Sequence, residues 1–167
     1  MAANVKPVQE GYHTLTAHLV VRDAAKAVDF YQRAFGAKPL GVHKTPDGKV
    51  MHAELQIGDS RLMLADEFPG MGNCKSPQTL GGTTTTMNIY VDDVDRLFKQ
   101  AVAAGATETM PLANQFWGDR YGQVKDPFGH SWALGQHIED VAPEEMERRA
   151  REAFAQMAKK TAAPQTA

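Results

Sequence analysis

One pattern occurs twice in this chain, and it constrains the fold more than any other feature. Val21-x-Asp23 precedes an apolar-striped segment that stops at Gly36-Ala37. Val91-x-Asp93 precedes a second such segment that stops at Gly105-Ala106. The starts are 70 residues apart and the stops 69. Two helix starts and two helix stops at nearly one offset indicate an internal duplication, so one architecture must be built twice and packed against itself.

Each copy reads as a strand, a helix and three strands. In the first, 15–21 alternates in part as a strand and Asp23 is a candidate N-cap. Ala27, Val28, Tyr31, Ala34 and Phe35 then form one buried face of a helix over 24–35, which Gly36 ends. Strands are expected near 39–43, 50–57 and 61–65, with Asp47-Gly48 and Gly58-Asp59 as turns. In the second copy the elements fall at 83–91, 94–104, 108–111, 121–125 and 131–135, with Asp126-Pro127-Phe128-Gly129 as the last turn. The fold class is therefore α+β, two tandem βαβββ modules. Pro143, Glu144 and Glu145 open a further helix whose stripe is Met146, Ala150, Ala153, Phe154 and Met157. The organisation is a flexible N-terminus over 1–10, module one over 11–68, a linker over 69–82, module two over 83–138, an amphipathic helix over 139–158 and a flexible tail over 159–167.

Composition excludes several classes. The net charge is −2 and no basic stripe occurs, so no nucleic-acid partner is expected. No segment reaches the roughly 18 apolar residues of a membrane span, and none reads as a signal peptide, so the expected location is cytoplasmic with no membrane partner. The single cysteine, Cys74, cannot form an internal disulfide and reads as a loop thiol.

Strand parity selects candidate site residues. Leu15, Ala17, Leu19 and Val21 share the face expected under the helix, which leaves Thr16 and His18 on the other. In module two Met87, Ile89 and Val91 go under the helix, and Thr86, Asn88 and Tyr90 do not. In the third strand of module one Met51, Ala53, Leu55 and Ile57 alternate with His52, Glu54 and Gln56, and module two offers Tyr121, Gln123 and Lys125. A polar face of this kind is either simply wet or lines a ligand pocket. His52 and Glu54, at i and i+2, suit proton transfer or a plain hydrogen-bonded pair. Phe116, Trp117 and Tyr121 suit either an apolar ligand or a plug beneath a loop. Arg120 suits an anionic group, or a salt bridge to Asp119 or Asp126. His13, His43, His130 and His137 fall near strand ends or turns, where exposure is expected. No GxGxxG, GxxxxGK[ST] or GxSxG motif occurs.

Val-x-Asp, Asp29-Phe30-Tyr31 and Phe35-Gly36-Ala37, then Val91-Asp92-Asp93-Val94-Asp95, Ala104-Gly105-Ala106 and Lys125-Asp126-Pro127-Phe128-Gly129-His130, resemble the two modules of the vicinal oxygen chelate superfamily (glyoxalase, bleomycin resistance and dioxygenase-like proteins). His52-Ala53-Glu54-Leu55 and the run from Phe116 to Gly122 resemble its PhnB-like branch. The resemblance covers about residues 12–137 and implies a curved, cup-like mixed sheet with helices outside, and a homodimer. Metal-dependent members carry His or Glu on the first and last strand of each module. By family spacing these positions are Thr16 and Thr86, then Ala133 and, by internal offset, a position near Leu64. None is a ligand of the expected kind, so no metal and no cofactor is expected. A two-residue slip would instead bring in His18, with His52 and Glu54 as an atypical set.

Three readings follow. The first is a metal-free protein that binds a small organic ligand in the cup through Thr16, His18, Thr86, Asn88, Trp117, Arg120, Tyr121 and Gln123. The second is a metal-dependent lyase, isomerase, dioxygenase or thiol transferase with atypical ligands. The third is a metal-independent enzyme with Glu54 or His52 as the base. Whether a reaction is catalysed stays open at this point.

Overall fold

The computed structural model of the chain describes residues 5–71 and 74–162. Expectations for the outermost residues, 1–4 and 163–167, lie outside the described residues. Module one runs β1 (Ala17–Val21), α1 (Ala24–Phe35), β2 (Lys38–Lys44), β3 (Val50–Ile57) and β4 (Ser60–Asp66). A four-residue helix, α2 (Pro77–Leu80), sits in the linker and had no periodic signal. Module two runs β5 (Thr86–Tyr90), α3 (Val94–Ala104), β6 (Thr107–Asn114), β7 (Asp119–Lys125) and β8 (Ser131–His137). Helix α4 (Pro143–Ala162) follows and runs beyond the expected end at 158.

The duplication is visible atom by atom. Asp23 accepts from the Lys26 amide as the N-cap of α1, and Asp93 accepts from the Arg96 amide as the N-cap of α3. Gly36 and Gly105 close the two helices at φ 66° and 116°, a region open to glycine. The first helical amide of α1, Ala24, donates to Asp66 Oδ1, and that of α3, Val94, donates to Gln136 Oε1. Both acceptors lie 42 residues further along. The same strand end thus ties down the same helix start in each copy.

Each module has its own four-stranded mixed sheet, in the orders β1-β4-β3-β2 and β5-β8-β7-β6. β1 is parallel to β4 and β5 is parallel to β8; the other pairs are antiparallel. The expected mixed-sheet architecture is therefore two sheets within one chain. β1 and β5 are both edge strands, so the strand that follows Thr16 and the strand that begins at Thr86 pair with β4 and β8 and not with each other. Thr83 to Thr85 stay out of β5, because the Thr83 hydroxyl accepts from the Thr85 amide in a local turn.

What joins the modules is helix against helix. Gln100 of α3 donates to the carbonyls of Arg33 and Ala34 at the end of α1, and Arg33 donates to the carbonyl of Ala104. Phe30, Tyr31 and Phe35 of α1 meet Phe128 and Trp132 of module two in one aromatic cluster, with Phe35 and Trp132 centroids 4.6 Å apart. A single apolar core therefore spans both modules. His130, expected to be exposed, is buried at this junction with Nε2 3.2 Å from the Val20 carbonyl oxygen. Its strand-end position leaves it exposed only if nothing packs there, and module one does.

Helix α4 leans on the β6–β7 turn. Arg149 makes two 2.8 Å bonds to the Glu139 carboxylate, and Phe154 packs edge-on to Phe116. Met146, Ala150 and Ala153 are half-buried, while Phe154 stays largely exposed. No helix among the described residues is long and apolar enough to cross a membrane.

Candidate functional site

Strand parity placed the two faces of each sheet correctly in most positions. Leu19, Val21, Ala53 and Leu55 are buried beneath the helices as that reading expects, whereas Leu15, placed with them, lies before β1 and is exposed. Met51 departs from the pattern and is exposed. A register shift between His43 and Lys44 opposes Lys44 to Val50, so Val50 goes into the core and Met51 is the extra residue.

In module two the helix-free face has a floor of small residues. Ser131, Ala133 and Gly135 alternate along β8 with Trp132 and Leu134, which point into the core. Register places Thr86, Asn88 and Tyr90 on one side of that floor and Lys125, Gln123 and Tyr121 on the other. Gly135 is required where it is, since a Cβ there would stand 3.0 Å from the Tyr90 ring. Gln123 donates to the Tyr121 hydroxyl at 2.8 Å, and Asn88 donates to the Thr86 carbonyl. Thr86, Asn88 and Tyr90 are exposed.

One end of this row is organised by a carboxylate that the sequence reading did not select. Asp119 is buried and accepts from the Tyr90 hydroxyl at 2.7 Å, from Trp117 Nε1 at 3.0 Å and from His137 Nδ1 at 3.0 Å. Burial pushes its carboxyl upward, but the bonds from Tyr90, His137 and Trp117 outweigh that and hold it below the usual range. The Tyr90 phenol is raised by its bond to Asp119 and then by burial. His137 is raised by Asp140, on its Nε2, and then by Asp119. Asp119 shares strand parity with Tyr121, and that spacing was the available signal. Trp117 packs edge-on to Tyr121 at 5.6 Å, so it stands at the rim of the same face.

The corresponding face of module one holds different chemistry. His18 on β1, His52 on β3 and His43 on β2 form a chain of rings, with centroids 6.2 Å and 6.4 Å apart. Burial and then His52 lower the His18 pKa. Thr16 lies just before β1 and is half-buried. Glu54 is not a free base. Arg61 Nη1 donates to its Oε1 and the Tyr12 hydroxyl to its Oε2, both at 2.6 Å. The Arg61 guanidinium also lies over the Tyr12 ring and donates to the carbonyls of Glu10 and Gly11. The end of the segment expected to be flexible over 1–10 is thus pinned across this face. No local pattern links Tyr12 to Glu54, which is 42 residues away.

Two candidate positions change. Arg120 lies on the helix face of β7, where Nε and Nη2 grip both oxygens of Asp95 on α3. It has the alternating neighbour Gly122, which meets Phe98 of α3, so the structure does not bring Arg120 to the helix-free face. Leu64 is in the core with no exposure. The register pairs His18 with Met63 and Asn88 with Ala133, which makes Met63 the counterpart of Ala133. The family's metal positions thus offer side chains that do not fit a divalent ion, and the one carboxylate beside them, Glu54, has both oxygens engaged. Among the described residues no three His, Cys, Asp or Glu side chains converge as a metal site.

Comparison with known proteins fits this architecture. The family described as Glyoxalase/Bleomycin resistance protein/Dioxygenase superfamily matches residues 12–134. An uncharacterised protein of Mycobacterium tuberculosis is 48% identical over 149 residues, covering 88% of this chain and 84% of that one. The crystal structure of TioX from Micromonospora superposes with a TM-score of 0.62 at 31% identity, covering 75% of this chain and 99% of that one. A PhnB protein of Bacillus cereus superposes with a TM-score of 0.59 at 19% identity, over 74% of this chain and 99% of the other, which speaks for the fold alone.

Proposed function

The chain belongs to the Glyoxalase/Bleomycin resistance protein/Dioxygenase superfamily, and from that premise we propose that it binds a small organic ligand on the helix-free faces of its sheets, without the family's metal. One observation carries the reading. The floor of Ser131, Ala133 and Gly135 lies between two walls of longer side chains, Thr86, Asn88 and Tyr90 against Tyr121, Gln123 and Lys125. The walls of this trough close over its floor, with Ala133 only 1% exposed and the Tyr90 ring above Gly135, so a ligand rests on the exposed wall side chains, whose amide and hydroxyl groups fix orientation and whose ring faces cover a flat apolar body. Trp117 at the rim of the trough is held in place through Asp119.

The binding unit is a homodimer. β1 and β5 are unpaired edges, and an exposed edge is a template for another strand. Helix packing holds the two sheets of one chain apart from direct pairing. A second copy would set the module-one face with His18 and His52 opposite the module-two trough and close the cup. The protein acts in the cytoplasm on this reading, with no nucleic-acid or membrane partner.

A metal-independent acid–base enzyme is the second reading, because His18 is tuned towards the neutral imidazole and sits beside His52. Glu54 is poorly placed to serve as the base while Arg61 and Tyr12 hold it.

The test is native mass spectrometry of the purified protein with light scattering. A mass of twice 18.3 kDa that retains an organic molecule, lost on Asn88→Leu at an exposed position with the melting temperature preserved, supports the proposal. A monomer at micromolar concentration that retains nothing, and whose Trp117 emission no aromatic compound in a screen changes, overturns it.

A further inference from the structure

A second recess lies outside the helix-free faces, where the β1–α1 turn, the start of β3 and the segment after β4 meet. Its volume is about 530 Å³, and Arg22, Lys49, Lys75, Glu67, Phe68 and Cys74 line it. From its charge pattern we infer that it is a binding site for a phosphorylated small organic molecule. The inference is independent of the proposed function.

Arg22 is the singular residue. The chain has eight arginines, and seven of them, Arg33, Arg61, Arg96, Arg120, Arg148, Arg149 and Arg151, stand within 4.0 Å of a carboxylate. Among the described residues Arg22 has no such partner. Its Nε and Nη2 both rest on the Thr79 hydroxyl, at 3.2 Å and 3.1 Å. Lys49 lies over the Phe68 ring, and among the described residues neither Lys49 nor Lys75 has a carboxylate within ion-pair distance. The one acid in the lining, Glu67, is held from behind by the hydroxyls of Ser76 and Thr79, which keep it ionised. Three cations against one carboxylate leave the recess net positive in a chain whose net charge is −2.

That arrangement selects the ligand class. A guanidinium with open donors matches phosphate oxygens, and two ammonium groups add point charges. Phe68 and Pro69 supply an apolar wall for an organic body. The volume falls within the ~300–1,000 Å³ of small-molecule sites. Thr79 ties the site together, because it accepts from Arg22 and donates to Glu67.

Cys74, the single cysteine, is exposed at the rim and reports occupancy. The experiment measures its alkylation by iodoacetamide at constant ionic strength, with AMP, inorganic phosphate or adenosine present. AMP is expected to slow the reaction several-fold and adenosine to leave it unchanged. Arg22→Gln and Lys75→Gln should each abolish that protection with the melting temperature preserved. Raised salt should weaken it. No protection by millimolar AMP, or equal protection in Arg22→Gln, overturns the site. Protection by phosphate equal to that by AMP overturns the assigned ligand class, since the apolar wall would then contribute nothing.

Discussion

The hydroxyl of Tyr31 donates a 2.7 Å hydrogen bond to the carboxylate of Asp126, 95 residues away and in the other module. Asp126 is buried and has four donors in all, with Trp132 Nε1 on the same oxygen as Tyr31 and the amides of Phe128 and His130 on the other. A buried carboxylate is tolerated when every lone pair is met, as here. Burial raises the Tyr31 phenol well above its ordinary value, with the Asp126 charge and bond adding to it, so the proton stays on oxygen. The modules are therefore joined by a polar contact inside an apolar cluster.

Tyr31→Phe should destabilise the fold while leaving both modules intact. The ring and its stacking on Phe35 survive, and a charge-assisted bond to a buried carboxylate is lost, at a cost of about 1.5–3 kcal/mol. Urea unfolding should show the midpoint shifted with the slope unchanged. A midpoint equal to wild type would mean that helix packing alone joins the modules.

This contact also shows where sequence reasoning stops. Helix starts, stops and strand parity are local patterns, and Asp23, Gly36, Asp93, Gly105 and the alternation of Leu19 and Val21 were all legible. Asp126 was legible only as part of a turn, because nothing near it names Tyr31. Register is equally remote. The bulge that exposes Met51 and the pairing that replaces Leu64 by Met63 depend on how two strands align. Thr86, Asn88, Tyr121 and Gln123 were selected by parity and do share one face. Arg120 was selected by its charge, and parity sends it to Asp95.

His18 on the module-one face and His137 at the end of β8 should give opposite pH dependences. The raised pKa of His137 makes its contribution complete below about 6.5, and that contribution is lost as pH rises through the folded value. The lowered pKa of His18 makes its contribution complete above about 6.5, and that contribution is lost as pH falls towards the folded value. Stability measured from pH 5 to 8 should therefore lose its alkaline decline in His137→Gln and its acid decline in His18→Gln. An unchanged profile in both variants would remove these residues from the account.

Tyr12→Phe should loosen residues 9–12 without unfolding the sheet. The Arg61–Glu54 pair remains, since its two side chains are each only 19% exposed and its geometry does not depend on the hydroxyl. The loss should be about 1 kcal/mol, below the ~1.5–3 kcal/mol of a bond to a buried charged acceptor because the segment can open locally. Amide exchange at Tyr12 should accelerate while that of Leu55 and Leu64 stays protected. If Leu55 accelerates equally, the segment belongs to the core and is not a separate strap.

Gly118→Ala should be the most damaging of the single-methyl changes and should release α4. Gly118 sits at φ 94°, and a Cβ there would fall 2.1 Å from the Glu139 carbonyl oxygen, a backbone atom with no rotamer to escape through. The Gly118 carbonyl also accepts from the amides of Ile138 and Glu139, so the clash strikes the link that carries β8 into α4. Positive φ and overpacking each cost on the order of 1–3 kcal/mol, for a combined cost of about 2–6 kcal/mol before any relief. The linker can relieve part of that by lifting away, which separates Phe154 from Phe116 and breaks the Arg149–Glu139 pair. His137 would lose Asp140 as well, because Asp140 follows the same linker. The expected result is a helix α4 cleaved by trypsin at Arg148 and Arg149 much faster than in wild type, while the module core resists. Equal cleavage rates would show that α4 is held by contacts other than the Gly118 turn.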